Sequence, residues 1–215
     1  NRTYPTLYMH DGQNLFDKAT SFAGEWRVDE ALEELAEDGI EAIVVGVPNT
    51  GSDRLNEYSP FRDARFGGGR AADYVKFIVE TVKPLVDDAF RTTGDRDGTG
   101  TIGSSMGGLI SLYAFFERPD VFGAVGAISP SVGFARGALI EYLERARFVG
   151  GRVYPRRLHG ARRAVERQHD HVVSGLRDRV RVSAQCRHRP ARGRPLATSR
   201  PCRFHHSEIP ESSRH

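Results

Sequence analysis

No apolar run in this 215-residue chain approaches eighteen residues, so the sequence offers no membrane-spanning helix. Cysteine is nearly absent. Cys186 and Cys202 stand without a Cys-x-x-Cys or similar spacing, which leaves neither a disulfide framework nor a zinc site to expect. No secretory leader is visible; the location is left unknown, with the cytoplasm favoured and the N-terminus expected to be incomplete. Lysine is missing after residue 154, and beyond it Phe204 is the sole aromatic residue. The loss of aromatics, with the rise in arginine, marks a change of composition. Residues 1–154 hold 16 Lys+Arg against 23 Asp+Glu, a balance of −7, whereas residues 155–215 hold 15 Arg against 5 acids, a balance of +10. The overall charge of +3 conceals two unlike segments.

What is present is concentrated in the first segment. Gly103-Ser104-Ser105-Met106-Gly107 fits Gly-x-Ser-x-Gly, the pattern of a serine placed on a sharp strand-to-helix turn. A short β-capable run, Gly98 to Ile102, precedes it, and a helical stretch from Gly108 to Glu117 follows, ended by Arg118-Pro119. Side chains at the two flanking glycine positions are expected to collide with strand and helix. Ser105 is thus the candidate nucleophile. The plainer reading is a Gly/Ser turn before an ordinary helix.

Near the start, Tyr4 to Asp17 reads as a strand that opens into a polar loop, His10-Asp11-Gly12-Gln13-Asn14. That loop, the elbow and Asn49…Arg54…Glu57-Tyr58 together resemble the putative esterase family of α/β-hydrolases. Enterochelin-esterase-like proteins, feruloyl esterases and S-formylglutathione hydrolases belong to that family. The resemblance covers residues 2–154. It implies an α/β fold: an α/β-hydrolase with a parallel central sheet and helices on both faces, here expected to be truncated at both ends. Family members carry one or two strands before this point, so an N-terminal part is expected to lie outside the sequence. The resemblance also implies that Ser105 attacks the carbonyl carbon of a small-molecule ester or thioester. The backbone N–H groups of Gln13 and Met106 would hold the oxyanion, with no metal and no organic cofactor. A plain turn stabilised by Asp11 and Asn14 is the alternative for the first loop, and both readings can hold.

The remaining pattern alternates strands and helices. Glu25–Asp38 is an acidic helix with Val28, Leu32, Leu35 and Ala36 on one face, stopped at Gly39. Trp26 could line a site, but core packing is its expected use. Ala42–Val47 and Gly123–Ser129 read as strands buried on both faces, the former a central one. Ala71–Phe90 is a long amphipathic helix with Val75, Ile78, Val79, Val82, Leu85, Val86 and Phe90 inward, bent or divided at Pro84. Ala138–Ala146 is a further helix, and Gly151–Tyr154 begins another strand. Such a sheet gathers its sites at the carboxyl ends of its strands. His10-Asp11, Pro48-Asn49, Ser105 and Ser129-Pro130 should converge there. Phe66-Gly67-Gly68-Gly69-Arg70 has the glycines of a phosphate loop, but no Lys-Ser/Thr follows, and a helix start explains it better.

Residues 1–154 are therefore expected to form the esterase core, and residues 155–215 an Arg-rich, disordered tail. A serine hydrolase needs a histidine base and an acid after the nucleophile. The tail offers Asp170 or Asp178 and His188, His205 or His206, none in a family-like context. Codons permitting Ala191–Leu196, read one base later, can spell a segment like that around the family's catalytic histidine. The same shift at Pro155–His159 continues the strand after Tyr154. We read the tail as translated in a shifted frame, which would impair activity. The rival class is a non-catalytic fragment or basic-tail binder. Its arginines lack the helical stripe and aromatic interleaving of a nucleic-acid groove, so nucleic acid is not the expected partner. The sequence leaves the oligomeric state and the identity of the substrate open.

Overall fold

The computed structural model describes residues 2–156. They form a five-stranded sheet in which every pairing is parallel: β1 (Thr6–His10), β2 (Ile43–Val47), β3 (Thr99–Ser104), β4 (Ala124–Ile128) and β5 (Arg152–Arg156). Their spatial order is β2-β1-β3-β4-β5. Parallel neighbours need crossover connections, and these are the helices. α1 (Val28–Glu37) joins β1 to β2; α2 (Arg54–Glu57), α3 (Ala71–Phe77) and α4 (Lys83–Ala89) lie between β2 and β3; α5 (Met106–Glu117) and α6 (Ala138–Arg145) make the last two crossings. The first crossing steps one way along the sheet and the other three step the opposite way. Right-handed crossovers then put α1 on one face and the later helices on the other.

The core lies on the second face. Tyr8, Val47, Val125, Ala127 and Val153 point from the strands toward Tyr74, Val75 and Ile78, toward Leu109, Leu112 and Phe115 of α5, and toward Leu139 and Leu143 of α6. α5 is buried almost end to end, from Met106 through Phe116. No residue of α1 is fully buried; Leu35 is exposed and Trp26, expected in the core, is half-buried outside it. Gly39 does stop α1. Its N–H bonds to Ala36 O (3.0 Å), that of Ile40 reaches Leu35 O (3.0 Å), and its φ of +76° costs glycine little.

Two further expectations need correction. Ile43–Val47 is the edge strand of the described sheet, half-buried apart from Val47, because only β1 pairs with it among the described residues. The long helix keeps Val75, Ile78 and Val79 inward but turns Leu85 and Phe90 outward, at 62% and 55% exposure. A π-helical turn at Ile78–Val82 intervenes just before Pro84. The residue it adds rotates the following stripe by about 100°, the angle per residue of an α-helix. Pro84, expected to bend or divide this helix, sits in the first turn of α4 just after the π-helical turn, and the backbone stays helical on both sides of it. No helix among the described residues is long and apolar enough to cross a membrane. Residues 157–215, with the acid and histidine candidates and the shifted-frame reading, lie outside the described residues.

Candidate active site

Ser105 sits between the last residue of β3 and the first of α5 with φ 57° and ψ −117°, a conformation non-glycine residues avoid. Strand and helix enforce it from both sides. The Ser105 N–H donates to Ile128 O (2.9 Å), and its carbonyl accepts from Leu109 N (3.1 Å) and Ser131 N (3.0 Å). The residue is exposed on an otherwise buried turn. Gly103 is required by this close approach, since a Cβ there would stand 2.6 Å from the backbone C and O of Gly107. The matching collision expected at Gly107 is absent. A Cβ there would rest 3.4 Å from Asp11 Oδ2 and 3.5 Å from His10 Cβ, which is ordinary contact. Gly107 is met by its partner's approach, not by its own side.

The loop after β1 faces the elbow. Asp11 takes a left-handed conformation (φ 57°), starting the short 3-10 turn Gly12–Asn14. Its N–H donates to Tyr58 Oη (2.9 Å). Its carboxylate receives Arg54 Nε on Oδ1 and Arg54 Nη2 on Oδ2, both at 2.7 Å, and Asn49 Nδ2 on Oδ1 at 2.7 Å. The Arg54 guanidinium also lies 5.0 Å from the Tyr58 ring centroid. Burial opposes the Arg54 charge, but the bonds to Asp11 outweigh it and its pKa is raised. Gln13 is anchored by Asn49 N donating to its Oε1 (3.2 Å) and by Thr20 Oγ1 donating to its carbonyl (2.8 Å). Asn14 Oδ1 accepts from Ser21 Oγ and Phe22 N, so the turn reading of Asp11 and Asn14 also holds. Among the described residues, the backbone N–H groups of Gln13 and Met106 have no hydrogen-bond acceptor.

His10 is beneath this loop, not in it. It is fully buried; Nδ1 lies 2.9 Å from Tyr74 Oη and Nε2 lies 3.0 Å from Thr101 Oγ1. Burial lowers its pKa to about 4, with Asp11 raising it and Arg54 lowering it further. With both nitrogens engaged it has no free position for a proton from Ser105.

Four strand ends meet as expected: the Asp11 loop, Asn49, Ser105 and the Ser129–Ser131 turn. Sequence reasoning missed Ser131, whose Oγ is 3.0 Å from Ser105 Oγ. It also gave Arg54 no contact, although the Asn49…Arg54 spacing was in view. The triple glycine is no phosphate cradle. The N–H groups of Gly67, Gly68 and Gly69 are spent on Asp63 O, Asn56 Oδ1 and Ser59 O.

Residues 1–179 match the sequence profile of the family described as "Putative esterase". The chain belongs to that family. The match runs past the compositional boundary at 154. An uncharacterized protein, YbbA, of Bacillus subtilis (strain 168) is 30% identical over 141 residues, 63% of this chain and 53% of that protein. The siderophore triacetylfusarinine C esterase of Aspergillus fumigatus is 34% identical over 135 residues, 60% of this chain and 44% of that protein. The chain spans about half the length of these curated relatives. Among solved structures, the enterobactin esterase FES from Shigella flexneri superposes with a TM-score of 0.64 at 21% identity, covering 84% of this chain and 46% of that one. The enterobactin hydrolase IroE, solved in complex with DFP, gives 0.61 at 19% identity, covering 82% and 70%. The esterase-family member described here has the α/β-hydrolase fold of these proteins.

Proposed function

We propose that this chain carries the nucleophile and oxyanion half of a serine hydrolase that cleaves a small-molecule carboxylic ester or thioester. The observation that carries the reading is Ser105: exposed, at φ 57° and ψ −117°, on the turn from a central strand into a buried helix. Such strain persists only where the surroundings over-determine it, and it clusters at functional positions. The hydroxyl attacks the carbonyl carbon, the C–O or C–S bond to the leaving group breaks, and an acyl-enzyme forms on Ser105.

The oxyanion falls to the N–H of Met106, at the N-terminus of the 12-residue α5, and that of Gln13, neither of which has an acceptor among the described residues. Preorganised donors of this kind contribute about 3 kcal/mol each to the transition state. The pairing of Arg54 with Asp11 and of Asn49 with Asp11 and Gln13 fixes the loop that presents the second donor. The proton from Ser105 needs a base. His10, sealed at both nitrogens, is not that base. The acceptor must come from beyond residue 156, where the tail histidines lie. A chain whose tail departs from the family is accordingly a slow esterase, with oxyanion stabilisation leaving a residual rate of about a thousandfold over water. The names of the relatives, siderophore and ferulic acid esterases, make siderophore esters and ferulic acid esters the substrates to assay first.

A fluorophosphonate probe tests this directly. Labelling of the full chain that disappears in Ser105→Ala supports the reading; equal labelling of both removes it. Tight, steeply salt-dependent nucleic-acid binding with no labelling would favour the basic-tail binder instead.

A further inference from the structure

Beside the nucleophile stands a second hydroxyl. Ser131 Oγ is 3.0 Å from Ser105 Oγ, and on distance alone either could donate. We propose that Ser131 is a catalytic residue that donates its hydroxyl proton to Ser105 Oγ, stabilising the charge that builds there during attack. This rests on the reading of Ser105 as nucleophile.

The chemistry selects the donor. To react, Ser105 must direct its own O–H at the base, so its oxygen can only accept from Ser131. In the attacking step the Ser105 O–H bond breaks and the proton passes to the base. The freed electron pair forms the bond from Oγ to the carbonyl carbon, and the carbonyl π pair moves onto its oxygen. Ser131 keeps its proton throughout. Its bond to Ser105 strengthens as Oγ becomes anionic and weakens once Oγ is an ester oxygen.

The backbone holds the pair in place without the hydroxyl. Ser131 N donates to Ser105 O (3.0 Å) and Ser105 N donates to Ile128 O (2.9 Å), so the turn after β4 is clipped to the elbow by peptide groups. Ser129, with φ 44°, makes the bend that brings Ser131 back over the end of β3. Pro130 is pressed against α5, because a Cβ on Gly108 would lie 3.1 Å from Pro130 Cα. Removing one side-chain oxygen leaves these contacts intact.

The test measures the second-order rate of fluorophosphonate labelling at Ser105 in the full chain, with thermal melts of each variant. Ser131→Ala should melt within a few degrees of the parent yet react about tenfold to hundredfold more slowly, the loss of one hydrogen bond to a charged atom. Ser131→Thr, which keeps a hydroxyl, should recover most of the rate. If the alanine variant does not fold, Ser131→Cys, similar in shape with only a weak S–H donor, should show the same loss. Labelling of Ser131→Ala at the parental rate, or a loss that threonine does not restore, overturns the assignment while leaving the nucleophile intact. A parent that is not labelled, or labelled equally in Ser105→Ala, removes the nucleophile reading and this assignment with it.

Discussion

Arg54 grips Asp11 as a two-pronged fork, Nε to Oδ1 and Nη2 to Oδ2, each at 2.7 Å. The Asp11 side chain is 5% exposed and that of Arg54 19%. Water therefore does little to replace either partner. Planar, bidentate pairing is what a guanidinium can do and an ammonium cannot.

Arg54→Met should leave the Asp11 carboxylate buried with Asn49 as its remaining side-chain donor among the described residues, and cost about 3 kcal/mol in chemical denaturation. Arg54→Lys should recover less than half of that. The double variant Asp11→Asn/Arg54→Met should be more stable than Arg54→Met alone, because it removes the stranded charge. If the double variant is the weaker of the two, the pair is not what holds this loop.

His10 gives the fold a dependence on pH. Burial lowers its pKa from 6.5 to about 4. The unfolded chain therefore binds a proton that the folded chain refuses between those values. Stability from this residue is fully present above about pH 6.5 and is lost as pH falls toward 4, by about 3 kcal/mol at most. Urea midpoints measured from pH 7 to 4.5 should decline, and a His10→Gln variant should show a flatter profile over the same range. A parallel decline in both would assign the effect to carboxylates instead.

The parts of the site that were legible from sequence are local. Gly103, Ser105 and the helix after it lie within fifteen residues, and a strand–turn–helix is set by short-range sterics. Gly39 acts within a turn of its own position. The rest depends on partners far along the chain: Arg54 meets Asp11 across 43 residues, and His10 meets Thr101 across 91. Ser131 reads as part of an ordinary Ser-Pro-Ser turn until the β3–β4 register sets Ser104 beside Ile128. The inward stripe at Leu85 and Phe90 failed because a π-helical turn leaves no signature in apolar spacing. The edge position of β2 is equally silent, since an apolar run reports burial propensity and not neighbours.

The elbow stores strain that a substitution can release. Ser105 holds φ 57° with ψ −117°, a region costing a side-chain-bearing residue about 1–3 kcal/mol. Glycine populates it without that penalty, although it adds about 0.5–1 kcal/mol of unfolded-chain entropy to be overcome. Ser105→Gly should therefore stabilise the protein by about 1 kcal/mol while abolishing fluorophosphonate labelling. Ser105→Ala is the control that separates strain from the lost hydroxyl. It retains a Cβ in the same backbone conformation, so it should abolish labelling without the gain. Thermal melts and urea midpoints of the three proteins decide the matter. Glycine above alanine, with alanine near the parent, shows that the fold gives up stability at this residue to present the hydroxyl. Equal stability of the glycine and alanine variants would mean that the strain at Ser105 is relieved by its neighbours, and the geometric case for a nucleophile would weaken accordingly.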